Sequence, residues 1–218
     1  HTEDLWRPDL RLKSLRRCLR EPKMMKEQII SNLRESADLK LRFAKESIEE
    51  VAKATKLIQK ALSSGGKILI FGNGGSAAQA QHIASELINC NLQKKRKAVP
   101  AIALTTDTSI LTSMGDNSSF DDIFSRQIEA LGKKGDVAWA ISTSGKSTNI
   151  VKAIETAQTL GLKTVGFTGG DGGKIKKLVD CNVNVPSTSI PRIQEVHITV
   201  AHTICELIIN SLCKEKDK

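Results

Sequence analysis

The chain is poor in aromatic residues and has no long hydrophobic run. Aromatic side chains make up 3% of the 218 residues, which leaves little material for stacking nucleic-acid bases. No apolar run approaches the roughly 20 residues that a membrane-spanning helix needs, and no secretory signal pattern is present. The composition therefore argues against a base-stacking protein and predicts no association with a membrane.

The cysteines lack the spacing of a metal site or a disulfide framework. They are odd in number, and none stands in a C-x-x-C pair: Cys18, Cys90, Cys181, Cys205 and Cys213. Such scattered cysteines favour reduced thiols over disulfides. We therefore expect a cytoplasmic protein.

Positive charge is in excess, at a formal +9, which raises the possibility of a nucleic-acid partner. Part of the excess comes from residues 1–23, and the scarcity of aromatic residues makes nucleic acid the less favoured partner. We interpret the charge as a solvated surface that also attracts small anions. The basic tract precedes Met24 in a chain that begins with His1. We predict a poorly ordered or non-native extension over residues 1–25 and one domain over residues 26–218.

Residues 27–63 carry one long helical pattern without Gly or Pro. Apolar residues recur every three or four positions, as in a heptad repeat. A straight helix of this length would run about 55 Å, which is too long to bury its stripe against its own domain. We expect it to pack against a second subunit or to break near Ser47; a long surface helix across its own sheet is the remaining alternative.

Further along, short apolar segments alternate with helical ones. The strand-like segments are 67–71, 99–104, 137–141, 163–168 and 182–185, and helical spacing occupies 119–131, 147–160, 173–179 and 190–212. This alternation is typical of βαβ units and predicts a parallel sheet covered by helices on both faces. Ligands of such sheets bind at the carboxyl ends of the strands.

The loop after the first strand is rich in glycine and opens a helix. Residues 72–75 form the turn, and Ser76 is a candidate N-cap. Backbone N–H groups of such a loop favour an anion. On the helix that follows, His82 and Glu86 stand at i and i+4 on one face, so two groups able to bind metal or move protons lie behind the candidate anion site.

Two later loops have a similar character. Residues 142–147 place four hydroxyl groups around a glycine at the start of a helix, which suits a phosphate. Residues 168–173 form another glycine-rich turn. Glycine- and serine-rich loops also occur without a ligand, but two on successive strands of one sheet strengthen the interpretation as a phosphate site.

The last helix carries two histidines that face different ways. His197 and His202 are five residues apart, about 140° around a helix, so they cannot both bind one metal. Glu195 lies within about 20° of His202 and Gln194 about 80° away, so helical periodicity selects Glu195 as the partner of His202. Either histidine can instead be a hydrogen-bonded core residue.

These segments together resemble the sedoheptulose-7-phosphate isomerases, or phosphoheptose isomerases, of the sugar isomerase (SIS) domain superfamily. The resemblance extends from about Lys26 to Cys213, and its motifs are GNGGSAAQAQHIASEL, LTTDTSILTSMGDNSSFDDIFSRQIEALGKKGDV, AISTSGKSTNIVKAI, GFTGGDGGK and RIQEVHITVAH. It implies a flavodoxin-like three-layer α/β/α sandwich with a five-stranded parallel sheet and a long N-terminal helix. It also implies a homotetramer with active sites between subunits.

The resemblance further implies which residues form the site. One zinc ion per subunit would be held by His82, Glu86, Gln194 and His202, so the family selects Gln194 where periodicity selects Glu195. Substrate contacts would come from Asn73, Gly74, Gly75, Glu86, Asp116, Asn117, Ser142, Thr143, Ser144, Ser147 and Gln194. Asp116 and Asn117 stand in the reverse order to that of some members.

The chemistry implied is conversion of D-sedoheptulose 7-phosphate to D-glycero-D-manno-heptose 7-phosphate, the first step toward nucleotide-activated heptose. Passage through an enediol needs a base, an acid and stabilisation of an oxyanion. Glu86 and His202 are the candidate catalytic residues. A non-catalytic protein that binds the bacterial replication initiator is the alternative hypothesis, and a sugar-phosphate sensor is a third.

Overall fold

The computed structural model describes residues 22–89, 98–117 and 119–214. Its helices are α1 Pro22–Glu46, α2 Ile48–Ser63, α3 Gly75–Asn89, α4 Thr108–Asn117, α5 Ser125–Leu131, α6 Thr148–Thr159, α7 Ile175–Leu178 and α8 Ile190–Lys214. Its strands are β1 Ile68–Gly72, β2 Ala101–Ala103, β3 Val137–Ser142, β4 Lys163–Gly169 and β5 Cys181–Val185. A short 3-10 turn, Phe120–Asp122, precedes α5.

The long N-terminal helical pattern breaks at Ser47, which is one of the outcomes predicted from the sequence. Ser47 has φ −132° and ψ 16°, outside the helical region, so the regular helix is interrupted between α1 and α2. On α2 the predicted stripe is buried at Val51 and Ile58. On α1 it is not, because Leu33 and Leu41 are 65% and 64% exposed.

The five strands form one parallel sheet in the order β2-β1-β3-β4-β5. All residues of β1 and β3 are buried, as expected for central strands covered on both faces. Their register pairs Ile68 with Val137 and Gly72 with Ile141. The two strands therefore end side by side at the middle of the sheet's carboxyl edge.

Two apolar cores lie on opposite faces of the sheet and give the three layers. Successive residues of β1 alternate between them, since Ile68 and Ile70 join one core and Leu69 and Phe71 the other. The first core is completed by α1, α2, α3 and α8, and the second by α5, α6 and α7. The predicted three-layer α/β/α architecture with five parallel strands is confirmed.

The element boundaries differ from the predicted ones in a few places. The segment 119–131 is a 3-10 turn followed by the shorter α5, and the helix predicted over 173–179 is only α7. Sequence analysis did not predict α4. Among the described residues, no helix combines the length and apolar character needed to cross a membrane.

Some predictions concern residues outside the described ranges. Residues 1–21 of the predicted extension, together with Cys18 and Cys90, lie outside the described residues, and α1 already begins at Pro22. The proposed boundary between an extension and one domain therefore stays a prediction. Cys181 and Cys205 are buried thiols, in line with the expectation of reduced cysteines.

Candidate active site

The candidate site begins where the strand order reverses between β1 and β3. The chain runs from β1 to β2 on one side of β1 and then returns to β3 on the other. In open parallel sheets such a switch point leaves a crevice at the carboxyl ends of the strands, where ligands bind. The loops after β1 and β3 are two of the three loops singled out in the sequence.

The loop after β1 is a tight turn that leads directly into α3. Gly74 has φ +56°, a conformation that suits glycine. The helix starts at Gly75, one residue before the predicted N-cap, and Ser76 lies buried in its first turn, with its N–H donated to the Asn73 carbonyl at 3.0 Å. The predicted capping role of Ser76 is therefore wrong, because the chain turns one residue earlier.

The loop after β3 collects hydroxyl groups at the start of α6. Ser147 is the N-cap residue, but its side chain makes no capping hydrogen bond, and its Oγ lies 3.4 Å from that of Ser142. Ser144 is exposed and accepts the Lys146 N–H, while Thr143 is half-buried. First-turn N–H groups of a helix lack intrahelical partners, so hydroxyls and backbone amides converge here. We call residues 142–147 the serine loop.

The third glycine-rich loop, residues 168–173, packs against the serine loop. Gly145 has φ +63°, and a Cβ added to it would collide with the Gly172 carbonyl. The Ile175 N–H donates to the Gly145 carbonyl at 3.2 Å. Lys146 and Asp171 form an exposed ion pair at 3.7 Å. The pKa of the Asp171 carboxyl lies below its usual range, first because the Gly173 N–H donates a hydrogen bond to it and second because the charge of Lys146 is close.

A second cluster lies on the outer face formed by α3 and α8. His82, Glu86 and His202 each offer one ligand atom, and these atoms lie within 4.8 Å of one another. His202 Nδ1 is 2.7 Å from Glu86 Oε2, and the rings of His82 and His202 meet edge to face with centroids 5.1 Å apart. We call these three residues the His/Glu/His cluster.

Gln194 and Glu195 point in different directions from the start of α8. The Gln194 carboxamide lies against Gly75, whose added Cβ would be 2.5 Å from Gln194 Nε2. Glu195 instead pairs with Arg192 at 3.0 Å. Gln194 thus faces the loop after β1, and about 12 Å of helix rise separates it from His202.

Asp116 and Asn117 form the last turn of α4 and are exposed. No residue of α4 is buried, so few contacts fix these side chains relative to the two loops.

Asn149 is a site residue that was not predicted from the sequence, and its buried carboxamide bonds that of Asn73. A polar residue two positions after the serine loop's N-cap was the available signal.

His197 is a core residue and takes no part in the cluster. It is 1% exposed, and its Nε2–H donates to the Thr168 carbonyl at 3.0 Å. Burial lowers the pKa of His197 to about 4, against the smaller opposing effect of that hydrogen bond. The imidazole is therefore neutral near neutral pH, and the interpretation as a hydrogen-bonded core histidine is the correct one.

Comparison with known proteins shows which family these features belong to. The family model described as the SIS domain matches residues 33–169. A phosphoheptose isomerase from Aquifex aeolicus is 47% identical over 190 residues, which cover 87% of this chain and 99% of that protein. One from Aliarcobacter butzleri is 52% identical over 164 residues, covering 75% and 86%.

A solved structure gives the same result for the fold. The phosphoheptose isomerase from Neisseria gonorrhoeae superposes with a TM-score of 0.80 at 41% identity. The match covers 84% of this chain and 98% of that one. The likeness therefore extends over most of both chains.

Proposed function

The chain belongs to the phosphoheptose isomerases of the SIS domain family, and we propose that it converts D-sedoheptulose 7-phosphate to D-glycero-D-manno-heptose 7-phosphate. The observation that carries the proposal is the 2.7 Å contact between His202 Nδ1 and Glu86 Oε2. It pairs a carboxylate with an imidazole on a half-exposed surface, where a substrate can reach both. An initiator-binding protein without catalysis has no need of such a pair.

Isomerisation moves one proton between neighbouring carbons. A base removes a proton from C1, beside the C2 carbonyl, and an acid returns a proton to C2 as the carbonyl forms at C1. Glu86 is the carboxylate for the abstraction, and His202 delivers or accepts a proton at the oxygens of the enediol. The hydrogen bond between them orients the imidazole.

The serine loop binds the phosphate in this proposal. The hydroxyls of Ser142 and Ser147 lie 3.4 Å apart, and α6 begins immediately after them. A helix N-terminus with hydroxyl groups favours a dianionic phosphate. Binding energy from this remote end holds the reacting carbons in place, which raises the rate of the chemical step.

The His/Glu/His cluster fits a zinc ion. Imidazole nitrogen and carboxylate oxygen are ligands that zinc prefers, and the three donors already lie within 4.8 Å of one another. Gln194 would complete the set only if its side chain turned from Gly75 along α8 toward His202. When bound, zinc would supply Lewis-acid polarisation of the substrate carbonyl.

The distance between the two parts of the site supports a catalytic centre shared by two copies. Gly75 and Glu86 are eleven residues apart on α3, about 16 Å along its axis. An extended seven-carbon sugar phosphate spans only about 10 Å, from ordinary bond lengths. We therefore propose that the Glu86 that serves a substrate held by one serine loop comes from another copy, and that the assembly is a homotetramer.

The exposed stripe of α1 offers a surface for this assembly. Its large apolar side chains are about half exposed or more: Met24, Met25, Ile29, Ile30, Leu33 and Leu41. An unpaired apolar stripe of this length is typical of a subunit interface.

The proposed function is tested by incubating the purified protein with sedoheptulose 7-phosphate and following the aldose product by NMR. We expect conversion that is lost after treatment with a chelator and restored by zinc. Conversion that survives complete removal of metal would contradict the zinc proposal alone. Absence of any conversion, with zinc present and the protein assembled, would contradict the proposed function.

A further inference from the structure

The carboxamides of Asn73 and Asn149 bond each other in both directions. Asn73 Nδ2 donates to Asn149 Oδ1 at 2.9 Å, and Asn149 Nδ2 donates to Asn73 Oδ1 at 3.0 Å. Asn149 is 3% exposed, so water cannot replace its partner. We call these two residues the amide pair.

The amide pair joins the two loops at the switch point. Asn73 follows β1, and its carbonyl accepts the Ser76 N–H in the first turn of α3. Asn149 lies in the first turn of α6, two residues after the N-cap Ser147. The pair is therefore a direct side-chain link between the loop after β1 and the helix that starts at the serine loop.

The reciprocal bonds also fix how the Asn73 carboxamide is turned. A primary amide has two N–H donors and two acceptor lone pairs, and Asn149 takes one of each. The remaining N–H and lone pair of Asn73 then keep a fixed direction. An unpaired Asn73 would rotate freely about its terminal torsion, which has a broad energy minimum.

We propose that Asn149 is a positioning residue: it holds the Asn73 carboxamide so that its remaining N–H and lone pair face the sugar hydroxyls of a substrate whose phosphate lies on the serine loop. The part played by Asn73 rests on the proposed function. Asn149 acts through Asn73 and touches no substrate itself.

A double-mutant cycle tests this role. We expect Asn149→Ala to lower kcat/KM for sedoheptulose 7-phosphate about tenfold or more, and Asn73→Ala at least as much. The double variant should fall no further than Asn73→Ala, within about twofold, because the two residues act as one unit. Independent, multiplicative losses would overturn the proposal.

Inhibition by inorganic phosphate separates positioning of Asn73 from damage to the serine loop. We expect the inhibition constant to stay within about twofold of wild type in Asn149→Ala, since the phosphate contacts are intact. An inhibition constant that rises as much as KM would instead assign Asn149 to the phosphate loop. Asn149→Ser, too short to make both bonds, should behave like Asn149→Ala.

Hydrogen exchange gives a readout that needs no turnover. Backbone amides of residues 73–78 should exchange faster in Asn149→Ala. A matched control is Thr164→Ala, which removes another buried polar group, bonded to Asp180 Oδ2 at 3.0 Å, at the amino end of β4 and so at the opposite end of the sheet from both loops. The control should lose stability but keep wild-type exchange in 73–78 and wild-type kcat/KM. Unchanged exchange in Asn149→Ala would refute the proposal, even if the wild type proved inactive on the sugar phosphate.

Discussion

Glu86 and His202 are 116 residues apart in sequence, yet Oε2 of one lies 2.7 Å from Nδ1 of the other. The contact arises because α3 and α8 follow strands of the same parallel sheet and pack side by side on the same face. Each helix supplies one half of the proposed proton-transfer pair, and His82 adds a third possible ligand atom from α3. The fold therefore builds the His/Glu/His cluster from its scaffold helices.

The proposed sharing of the active site between two copies predicts complementation between two inactive variants. Glu86→Gln removes the base, and Ser147→Asp places a charge that repels phosphate while keeping a good N-cap. Each variant alone should be inactive. In mixed assemblies, half of the serine loops and half of the Glu86 side chains are intact. Random pairing of the two gives an intact site in about a quarter of cases, so about a quarter of wild-type activity should return. A site contained in one chain would recover none.

Because Gly145 of the serine loop packs against the third glycine-rich loop, adding one methyl group to it should cost more stability than a glycine substitution usually does. Gly145→Ala should lower the free energy of unfolding by about 3 kcal/mol, from the positive φ together with the collision against Gly172. Gly65→Ala is the matched control, because Gly65 has φ +81° but open space around it. It should cost only about 1 kcal/mol in a urea titration. Equal losses would show that the two loops are not tightly packed.

Buried His197 predicts a loss of stability in mild acid. The unfolded imidazole titrates near 6.5 and the folded one at about 4, so protons favour the unfolded state between these values. Stability is fully present above about pH 6.5 and falls as the pH drops toward 4. Between about pH 7.5 and 5.5 the loss from this residue is about 1.3 kcal/mol. A His197→Leu variant should lack this part of the pH dependence; an equal dependence in both proteins would refute the assignment.

The different directions of Gln194 and Glu195 predict different mutant effects. Gln194→Leu should lower kcat/KM about tenfold or more, because the carboxamide lies against Gly75 at the proposed site and its polar contacts would be lost. Glu195→Gln changes only the ion pair with Arg192 and should stay within about threefold. Steady-state kinetics of both variants checks this. The reverse order of effects would favour the helix-periodicity choice of Glu195.

Much of the fold could be predicted from the sequence because its signals are local. Alternating apolar strands and helical segments predict the parallel sheet. The length of the first helical pattern predicts either a break near Ser47 or packing against a second subunit, and the structure has the break. The helix α4 escaped prediction because Thr, Ser and Gly are weak helix formers and none of its residues is buried. Its conformation depends on the surrounding chain more than on its own apolar pattern.

The site could be predicted only in part, because its residues come from elements that lie far apart in the sequence. The i, i+4 spacing brings His82 and Glu86 together within one helix, but no local pattern pairs them with His202. Helical arithmetic selects Glu195 because it considers α8 alone, whereas Arg192 draws Glu195 away and Gly75 leaves room for Gln194. Asn149 was missed because its partner lies on another loop, so that its polar character two positions after Ser147 was the one local signal.

The most direct test of the central claim compares the wild type with Glu86→Gln on sedoheptulose 7-phosphate under saturating substrate, with the assembly state and zinc content of both proteins measured. We expect the wild type to form the aldose and kcat of the variant to fall by a factor of about 10² to 10⁴, the usual contribution of a general base. A folded, assembled and metal-loaded Glu86→Gln protein with wild-type kcat would contradict this expectation.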